Sequence, residues 1–484
     1  MTLLILLCTV LAGPTAVESL PQPVQHEHSF ELLSNSRYWV HSGFTDSLPS
    51  AVLANVLWAM ARAPRLADRE LYVARRDNVW HYDAAARVLR LHKPGDQRYN
   101  SGSAFEVGVA GKRHEDAGMA VQAGLLAGAA FRDESGGIVV SGPLQWAAEH
   151  ANEDWDTDEP VLAVILFGRA AARPLARAGV ARSSDTSLSA PQTDGRESFE
   201  KLLGDLTPDS AFGPGMLSRD AVSQLLWAAY GPTPYLAPPD NAGLPAATGA
   251  LAGYPQSARV YTVGPEAVER YHNRLAGAGA AARDHRLQPV VRSDRRAEVR
   301  GSSNRIPQRA PLYAVIAVSD TGSQRAMQEA GLGAFQLLAQ AHSLGLAGWV
   351  TAPLSRTERA RIVDALDLPA GDYPAVVFAC GEPADEADAR ADEDIVQIVR
   401  AAPAIRRGSL QVDYWVAATG EVRVEVFDML GRPVRLLREG TESSGYHSVL
   451  WDGTDASGRR LKRGTYLLAI FTRGAVARHK VTLG

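Results

Sequence analysis

Chemistry-bearing side chains stand close together at only a few places in the sequence. His26, Glu27 and His28 form a loose metal-like cluster, but they lie beside an expected processing point and are read as a disordered segment. His114, Glu115 and Asp116 open a helix-like run. Acidic residues there are favoured by the partial positive charge of a helix start, so a capping role is expected rather than catalysis. No G-x-S-x-G, H-E-x-x-H or Walker loop is present. Two cysteines, Cys8 and Cys380, exclude a cysteine-rich zinc or iron–sulfur centre. The run Glu115–Phe131 is dense in Gly and Ala, so another helix or a flat ligand can approach it closely; helix packing is the plainer reading.

The elements that would position such groups recur. Leu53–Met60 and Val222–Ala229 end two amphipathic helices, with Trp58 and Trp227 in corresponding places. Each is followed by strand and Tyr-bearing turn, Leu71–Asp83 in one case and Ala258–His272 in the other. A small-residue helix comes next, Glu115–Phe131 or Gln328–Ala347, and then an apolar strand ending in Gly, Pro160–Gly168 or Pro374–Gly381. The same elements in the same order twice are an internal duplication.

At 484 residues, with about 150 residues per domain, three domains are expected. Hydrophobic residues at 46% and charged residues at 21% describe a globular chain, and a net charge of −4 gives no reason to expect nucleic acid or an acidic membrane as partner. The apolar run Leu3–Leu11 is too short to span a bilayer, which takes about 20 residues. Followed by small residues and Pro14, it fits a secretory signal over residues 1–20 cleaved after Ala16, although no Lys or Arg precedes it. The half-domains are placed at 30–176 and 201–385, with linkers at 177–200 and 386–407 and a C-terminal module at 408–484. Arg177–Arg196 reads as linker, Arg283–Arg309 as an arginine-rich excursion loop, and the acidic run after Pro383 as the start of a short solvated helix. The module has alternating Val422–Phe427, a Gly-Pro turn at Asp428–Pro433 and an Asp452-Gly453 turn, the marks of a β-sandwich with Trp451 in its core.

The second half carries LLWAAYG (Leu225–Gly231), LPAATGALAGYP (Leu244–Pro255), QEAGLGAFQLLAQAHSLGLAGWVTAPL and LDLPAGDYPAVVFACGEP, and in this order it resembles the nitroreductase family. The branch it is most similar to contains the dehydrogenases that oxidise azolines in peptide-modifying clusters. The first half resembles the family more loosely, through SRYWVHSGF and its parallel with the second half. The resemblance implies an α+β fold in which two fused FMN-dependent halves form an intramolecular pseudo-dimer. It also implies a small-molecule substrate, and flavin mononucleotide held between the copies. Ser36-Arg37 would meet the flavin phosphate, Arg169 and Arg173 would help hold it, and Ala247-Thr248-Gly249-Ala250 of the other copy would cover the ring. A dianionic phosphate calls for Arg forks, and the flavin performs the hydride transfer while the protein supplies position and electrostatics. Copy two has LTPDSAFGPG and GEPADEAD in place of the basic residues, and copy one lacks the covering loop between Met60 and Leu71, so one composite site is expected rather than two. Ala247 stands where the family usually has Ser, and Tyr38 and Trp39 follow Arg37 where further basic or hydroxyl residues are usual. Ser135-Gly136-Gly137 would be the Gly-rich turn at the flavin edge. No catalytic acid is assigned; Tyr235 and Tyr254 are the nearest candidates.

The C-terminal pattern V-x-V-F-D-x-x-G-R … W-D-G-x-D-x-x-G … G-x-Y resembles the immunoglobulin-like domain of the flagellar hook-capping protein and the sorting domain of the type IX secretion system. It implies a role in export, in contact with export machinery or in cell-surface attachment. Three readings follow: an exported bacterial FMN oxidoreductase passing electrons to oxygen or another acceptor, secreted, periplasmic or on the cell surface; a flavin-free binding or structural protein of the same fold; or a chain in which the C-terminal module is the working part.

Overall fold

The computed structural model describes residues 16–36, 44–45, 48–131, 138–141, 144–170, 179–180, 188–236, 245–247, 258–274, 282–302, 305–319, 323–384, 396–403, 409–416, 420–442, 445–472 and 476–483.

The first half is built on an antiparallel sheet. Its centre is β6 (Phe105–Gly111), in which every residue is buried, so the sheet is covered on both faces. On one side of β6 lie β3 (Arg69–Ala74), β4 (Asn78–Asp83), β5 (Val88–Pro94) and the short edge strand β1 (Val17–Ser19). On the other lies β8 (Val161–Ala170), flanked by β7 (Ile138–Ser141) and β2 (Phe44–Thr45). The second half repeats the order. Its central β15 (Leu312–Val318), also buried throughout, is followed outward by β12 (Arg259–Val263), β13 (Val268–Arg274) and β14 (Ala282–Val291) on one side. On the other are β17 (Tyr373–Gly381) and β16 (Ala347–Thr351). An α+β fold in two sheet-rich halves is thereby present.

Between the sheets lies a helical layer: α1 (Phe30–Ser36), α2 (Ser50–Arg62) and α3 (His114–Ala129) from the first half, α5 (Phe199–Asp205), α6 (Arg219–Tyr230) and α8 (Gln324–Ser343) from the second. One continuous apolar core runs through this layer and both inner sheet faces. The outer faces are closed by α4 (Gln145–Asp154) on one half and by α7 (Arg296–Arg300) and α9 (Arg356–Leu366) on the other. At the centre α3 crosses α8. A Cβ on Gly118 would stand 2.2 Å from the Gln328 carbonyl oxygen, and one on Gly331 would stand 2.0 Å from that of Glu115. The small residues therefore serve backbone-to-backbone helix packing.

The duplication reaches single hydrogen bonds. The Asn55 side chain on α2 accepts from the Val24 N–H and donates to the Val24 carbonyl, both at 2.8 Å. On α6, Gln224, also three residues before its Trp, does the same to Gln192 at 2.9 Å. Ser29 and Ser198, which precede α1 and α5, meet in a β-bridge.

Several segments differ from their sequence expectation. Residues 17–20, assigned to the signal, include β1, whose pairing with β5 places them in the fold. The His26–His28 segment is described and held: His26 Nδ1 lies 2.6 Å from Glu200 and its ring stands edge-on against Phe131. It can be held because Glu200 is buried and needs a partner. In the stretch read as linker, β9 (Gly179–Val180) extends β14, Leu188 is buried, and Asp194 accepts from Ser29. The arginine-rich stretch is not a loop. It forms β14 and α7, where Arg286, Arg295 and Arg296 pair with Asp284, Glu298 and Asp294, while Arg305 reaches Glu358. Its polarity comes from internal ion pairs. The acidic run after Pro383 lies largely outside the described residues.

The C-terminal module is a β-rich unit of two sheets. One holds β18 (Val396–Pro403), β19 (Leu410–Val416) and β22 (Gly445–Trp451); the other is ordered β21 (Pro433–Glu442), β20 (Gly420–Phe427), β23 (Gly464–Phe471), β24 (Val476–Leu483). β18 falls inside the stretch read as second linker. Trp451, 1% exposed, sits in the core and donates to the Thr454 carbonyl at 3.0 Å.

Candidate functional site

The candidate site begins with α1. Ser29 sets its start by accepting the Leu32 N–H at 3.1 Å. The helix is then fastened across the molecule to α8: Ser34 donates to Gln336 at 3.2 Å, and Glu31 accepts from Gln340 at 3.0 Å and Ser343 at 2.6 Å. A seven-residue helix is marginal alone; these bonds give it a fixed place. Ser36 is its last residue, and its hydroxyl donates to the Leu32 carbonyl at 2.7 Å. Arg37 lies outside the described residues.

Against α1 packs a hairpin from the second half, β10 (Pro232–Leu236) with β11 (Pro245–Ala247). Gly231 launches it from the end of α6. A Cβ there would meet Trp227 at 2.4 Å, so only glycine lets the chain leave the helix in this direction. Ala247 ends β11 opposite Pro232. Thr248, Gly249, Ala250 and Tyr254 lie outside the described residues, as do Arg173 and Ser135-Gly136-Gly137; of Tyr235 only the backbone in β10 is described. Arg169 is on β8, half-buried, its backbone between Thr45 of β2 and Ile138 of β7. The elements carrying Ser36 and Ala247, from opposite halves, are thus neighbours, and Arg169 is joined to the Ser36 segment through β2.

The equivalent place in the other half is charged in the opposite sense. α5 is the counterpart of α1, with Phe199-Glu200 for Phe30-Glu31, and it ends on Asp205 where α1 ends on Ser36. Its last carbonyls are taken by Arg62 of α2, which donates to Leu203 and Gly204. β17 ends in Gly381 as β8 passes through Gly168, and the next residue is Glu382 where the first half has Arg169. Glu382 is tied into its surroundings, its carbonyl accepting from Gly213 at 2.9 Å. The first half thus carries a serine and an arginine at positions where the second carries two acids.

The histidine-acid run at the start of α3 does something the sequence reading missed. Asp116 caps no N–H of its own helix. It pairs with the buried Arg69 at 2.9 Å and accepts from Leu66 at 2.6 Å. Arg69 also donates to the carbonyls of Met60 and Ala63 at the end of α2. Glu115 is buried and His114 half-buried; desolvation raises the pKa of the first and lowers that of the second. A further part-buried chain, unanticipated, links Tyr271, His285 and Ser223: Tyr271 Oη to His285 Nδ1 is 2.7 Å and Ser223 Oγ to His285 Nε2 is 2.8 Å. Because Ser223 also donates to the Ser189 carbonyl at 2.8 Å, it is a satisfied structural hydroxyl and not an activated nucleophile. No group of three or more potential metal ligands is found among the described residues.

Compared with known proteins, residues 210–382 match the nitroreductase family and residues 406–474 match the FlgD Ig-like domain. A candidate nitroreductase from Anabaena variabilis is similar in fold, with a TM-score of 0.50 and 13% identity over 75% of this chain and 94% of that chain. That coverage reaches beyond the matched 210–382 segment into the first half. Also similar are a candidate nitroreductase from Ralstonia eutropha (TM-score 0.31, 19% identity, 44% of this chain, 97% of that chain) and an FMN-dependent nitroreductase from Clostridium difficile (TM-score 0.26, 13% identity, 38% and 87%). No curated protein matches the chain.

Proposed function

We propose that the chain is an exported FMN-dependent oxidoreductase in which the two halves act as an intramolecular pseudo-dimer with a single flavin site. The observation that carries this reading is the reversal of charge at equivalent positions. Ser36 and Arg169 on one side answer to Asp205 and Glu382 on the other. A phosphate dianion is stabilised by the first set and repelled by the second. Ser36-Arg37, Arg169 and Arg173 would hold the phosphate, and Ala247–Ala250 at the end of the hairpin would cover the ring. Bound there, the flavin would supply hydride or electron transfer to a small substrate. This chain's residues would bind and orient it: the bonds from α1 to α8 fix the end of that helix, and β10 of the second half packs on α1 of the first. The Ser36 hydroxyl would have to turn from Leu32 to donate to a phosphate oxygen.

The reading places the sandwich in export or surface attachment, supported by its match to the FlgD Ig-like domain and by the apolar N-terminal run. Cleavage after Ala16 keeps β1 whole, whereas cleavage after Leu20 would remove it. A dehydrogenase using oxygen or another acceptor suits a location where reduced nicotinamide is scarce, and azoline-type oxidation is the chemistry nearest in resemblance.

The test compares charge variants. Purified chain is incubated with FMN, freed of excess, and its absorbance recorded for bands near about 370 and 450 nm. Arg37→Ala and Arg169→Ala should each weaken retention by about tenfold or more, and Glu382→Ala should leave it unchanged. Retention insensitive to Arg37 and Arg169, or lost in Glu382→Ala, contradicts the assignment. A folded chain that ignores flavin supports the flavin-free alternative.

A further inference from the structure

The sandwich meets the body at β19, where Lys112 donates to Gln411 at 3.4 Å. One end of the sandwich carries exposed side chains that its fold does not require. Phe427, the last residue of β20, pairs with Leu467 near the start of β23, so the turn at 428–432 and the loop at 452–463 emerge at the same end. The two are tied together. The Ala456 N–H donates to the Val434 carbonyl at 3.0 Å, and Arg435 donates to the Asp455 carbonyl at 2.7 Å.

Turn and loop contain the same device, Asp-Met-Leu-Gly-Arg at 428–432 and Asp-Ala-Ser-Gly-Arg at 455–459. In the first, Asp428 accepts the N–H groups of Leu430 at 2.9 Å and Arg432 at 3.0 Å, and Gly431 turns the chain at a φ of 78°. In the second, Asp455 accepts those of Ser457 at 2.9 Å and Arg459 at 3.0 Å, with Gly458 also at 78°. The positive φ accounts for both glycines. It does not account for the apolar pair. Ala-Ser forms the same turn, yet the first turn displays Met429 at 55% and Leu430 at 80% exposure.

Beside that pair the loop presents Arg459, Arg460, Lys462 and Arg463, all exposed. Arg432 and Arg438 are paired with Asp428 and Glu442, whereas no ion pair or side-chain hydrogen bond among the described residues holds any of these four. Six basic residues, Arg432, Arg435 and the four of the loop, stand against three acids, Asp428, Asp452 and Asp455, which leaves this end positive by three. The net charge of −4 for the whole chain conceals it. Basic and exposed apolar side chains at one tip suit an interface with negative charge outside and hydrocarbon beneath. A nucleic acid would satisfy the arginines and leave Leu430 in water.

We propose that this end of the sandwich docks on an anionic lipid bilayer, with Met429 and Leu430 entering the boundary between headgroups and acyl chains and the four basic residues meeting the lipid phosphates. The contact is peripheral and salt-dependent, since each basic residue near such a surface adds a modest, screened attraction. It gives the surface attachment proposed for the sandwich a physical form, and it rests on neither flavin nor export.

Co-sedimentation of the full chain with vesicles tests this, using equimolar phosphatidylcholine and phosphatidylglycerol against phosphatidylcholine alone. The chain should pellet with the mixed vesicles, stay in the supernatant with the neutral ones, and be released as salt rises from about 0.1 M to about 1 M. Met429→Ala combined with Leu430→Ser, which copies the second turn and so keeps the geometry, should lower partition by about tenfold. Arg460→Gln, Lys462→Gln and Arg463→Gln together should lower it by about tenfold or more, with circular dichroism unchanged in both variants. No pelleting with the anionic vesicles, equal pelleting with the neutral ones, or indifference to either variant overturns the proposal. So does displacement from the vesicles by duplex DNA that binds the Met429 and Leu430 variant as tightly as the parent chain, which would mark a site for polyanions instead.

Discussion

At the scale of single residues, buried charge and buried histidine dominate. Arg69 and Asp116 form an ion pair with side chains 1% and 2% exposed, each carrying further hydrogen bonds to the α2 end and the Leu66 segment. Removing one partner leaves an uncompensated buried charge, so Asp116→Ala should lower unfolding free energy by about 3–5 kcal/mol in a denaturant titration. His285 is held neutral by burial between Tyr271 and Ser223, its pKa lowered from 6.5 to about 4. Above 6.5 both folded and unfolded states leave it uncharged. Below that the unfolded chain takes up the proton first, so stability falls as pH drops from about 6.5 to about 4, by up to about 3 kcal/mol. His285→Gln should flatten that part of the stability–pH curve; an unchanged slope would show that His285 does not set it. These networks were hidden in the sequence because their members lie far apart. Asp116 and Arg69 are 47 residues distant, and nothing local marks them as partners.

At the scale of elements, the helix crossing and the repeated clamps carry the design. A methyl group at Gly331 would meet the Glu115 carbonyl oxygen at 2.0 Å, whereas one at Gly204 in α5 meets nothing within 4 Å. Gly331→Ala should therefore destabilise by about 1–3 kcal/mol or more, and Gly204→Ala should be neutral or stabilising by up to about 1 kcal/mol, both read from thermal unfolding. Apolar periodicity exposed most of the elements: α2 and α6, the strands β8 and β17, and the small-residue helices all fall where spacing and composition put them. Segments with polar composition were harder to read. The arginine-rich β14–α7 stretch and the Ser-rich residues before α5 look like solvent-exposed chain, yet ion pairs and side-chain clamps from distant residues hold them. Composition reports what a segment offers, not which partner accepts it.

At the scale of the whole molecule, one apolar core spans both halves while the sandwich has its own. Calorimetric unfolding should accordingly show two transitions, body and sandwich; three transitions would mean that the halves unfold separately. The duplication was legible from the order of elements, and the asymmetry of the candidate site from residue charges: Arg169 against Glu382 needs no coordinates to be noticed. What the sequence did not show is that α1 is bolted to α8 of the opposite half and lies on the β10–β11 hairpin, because contacts between halves leave no periodic trace. Those contacts make the two halves a single binding unit in this account. The most direct test is the stoichiometry of flavin mononucleotide on the purified full chain, by absorbance after removal of excess. One flavin per chain is predicted. Two per chain would contradict the single composite site, and none would contradict the flavin assignment itself.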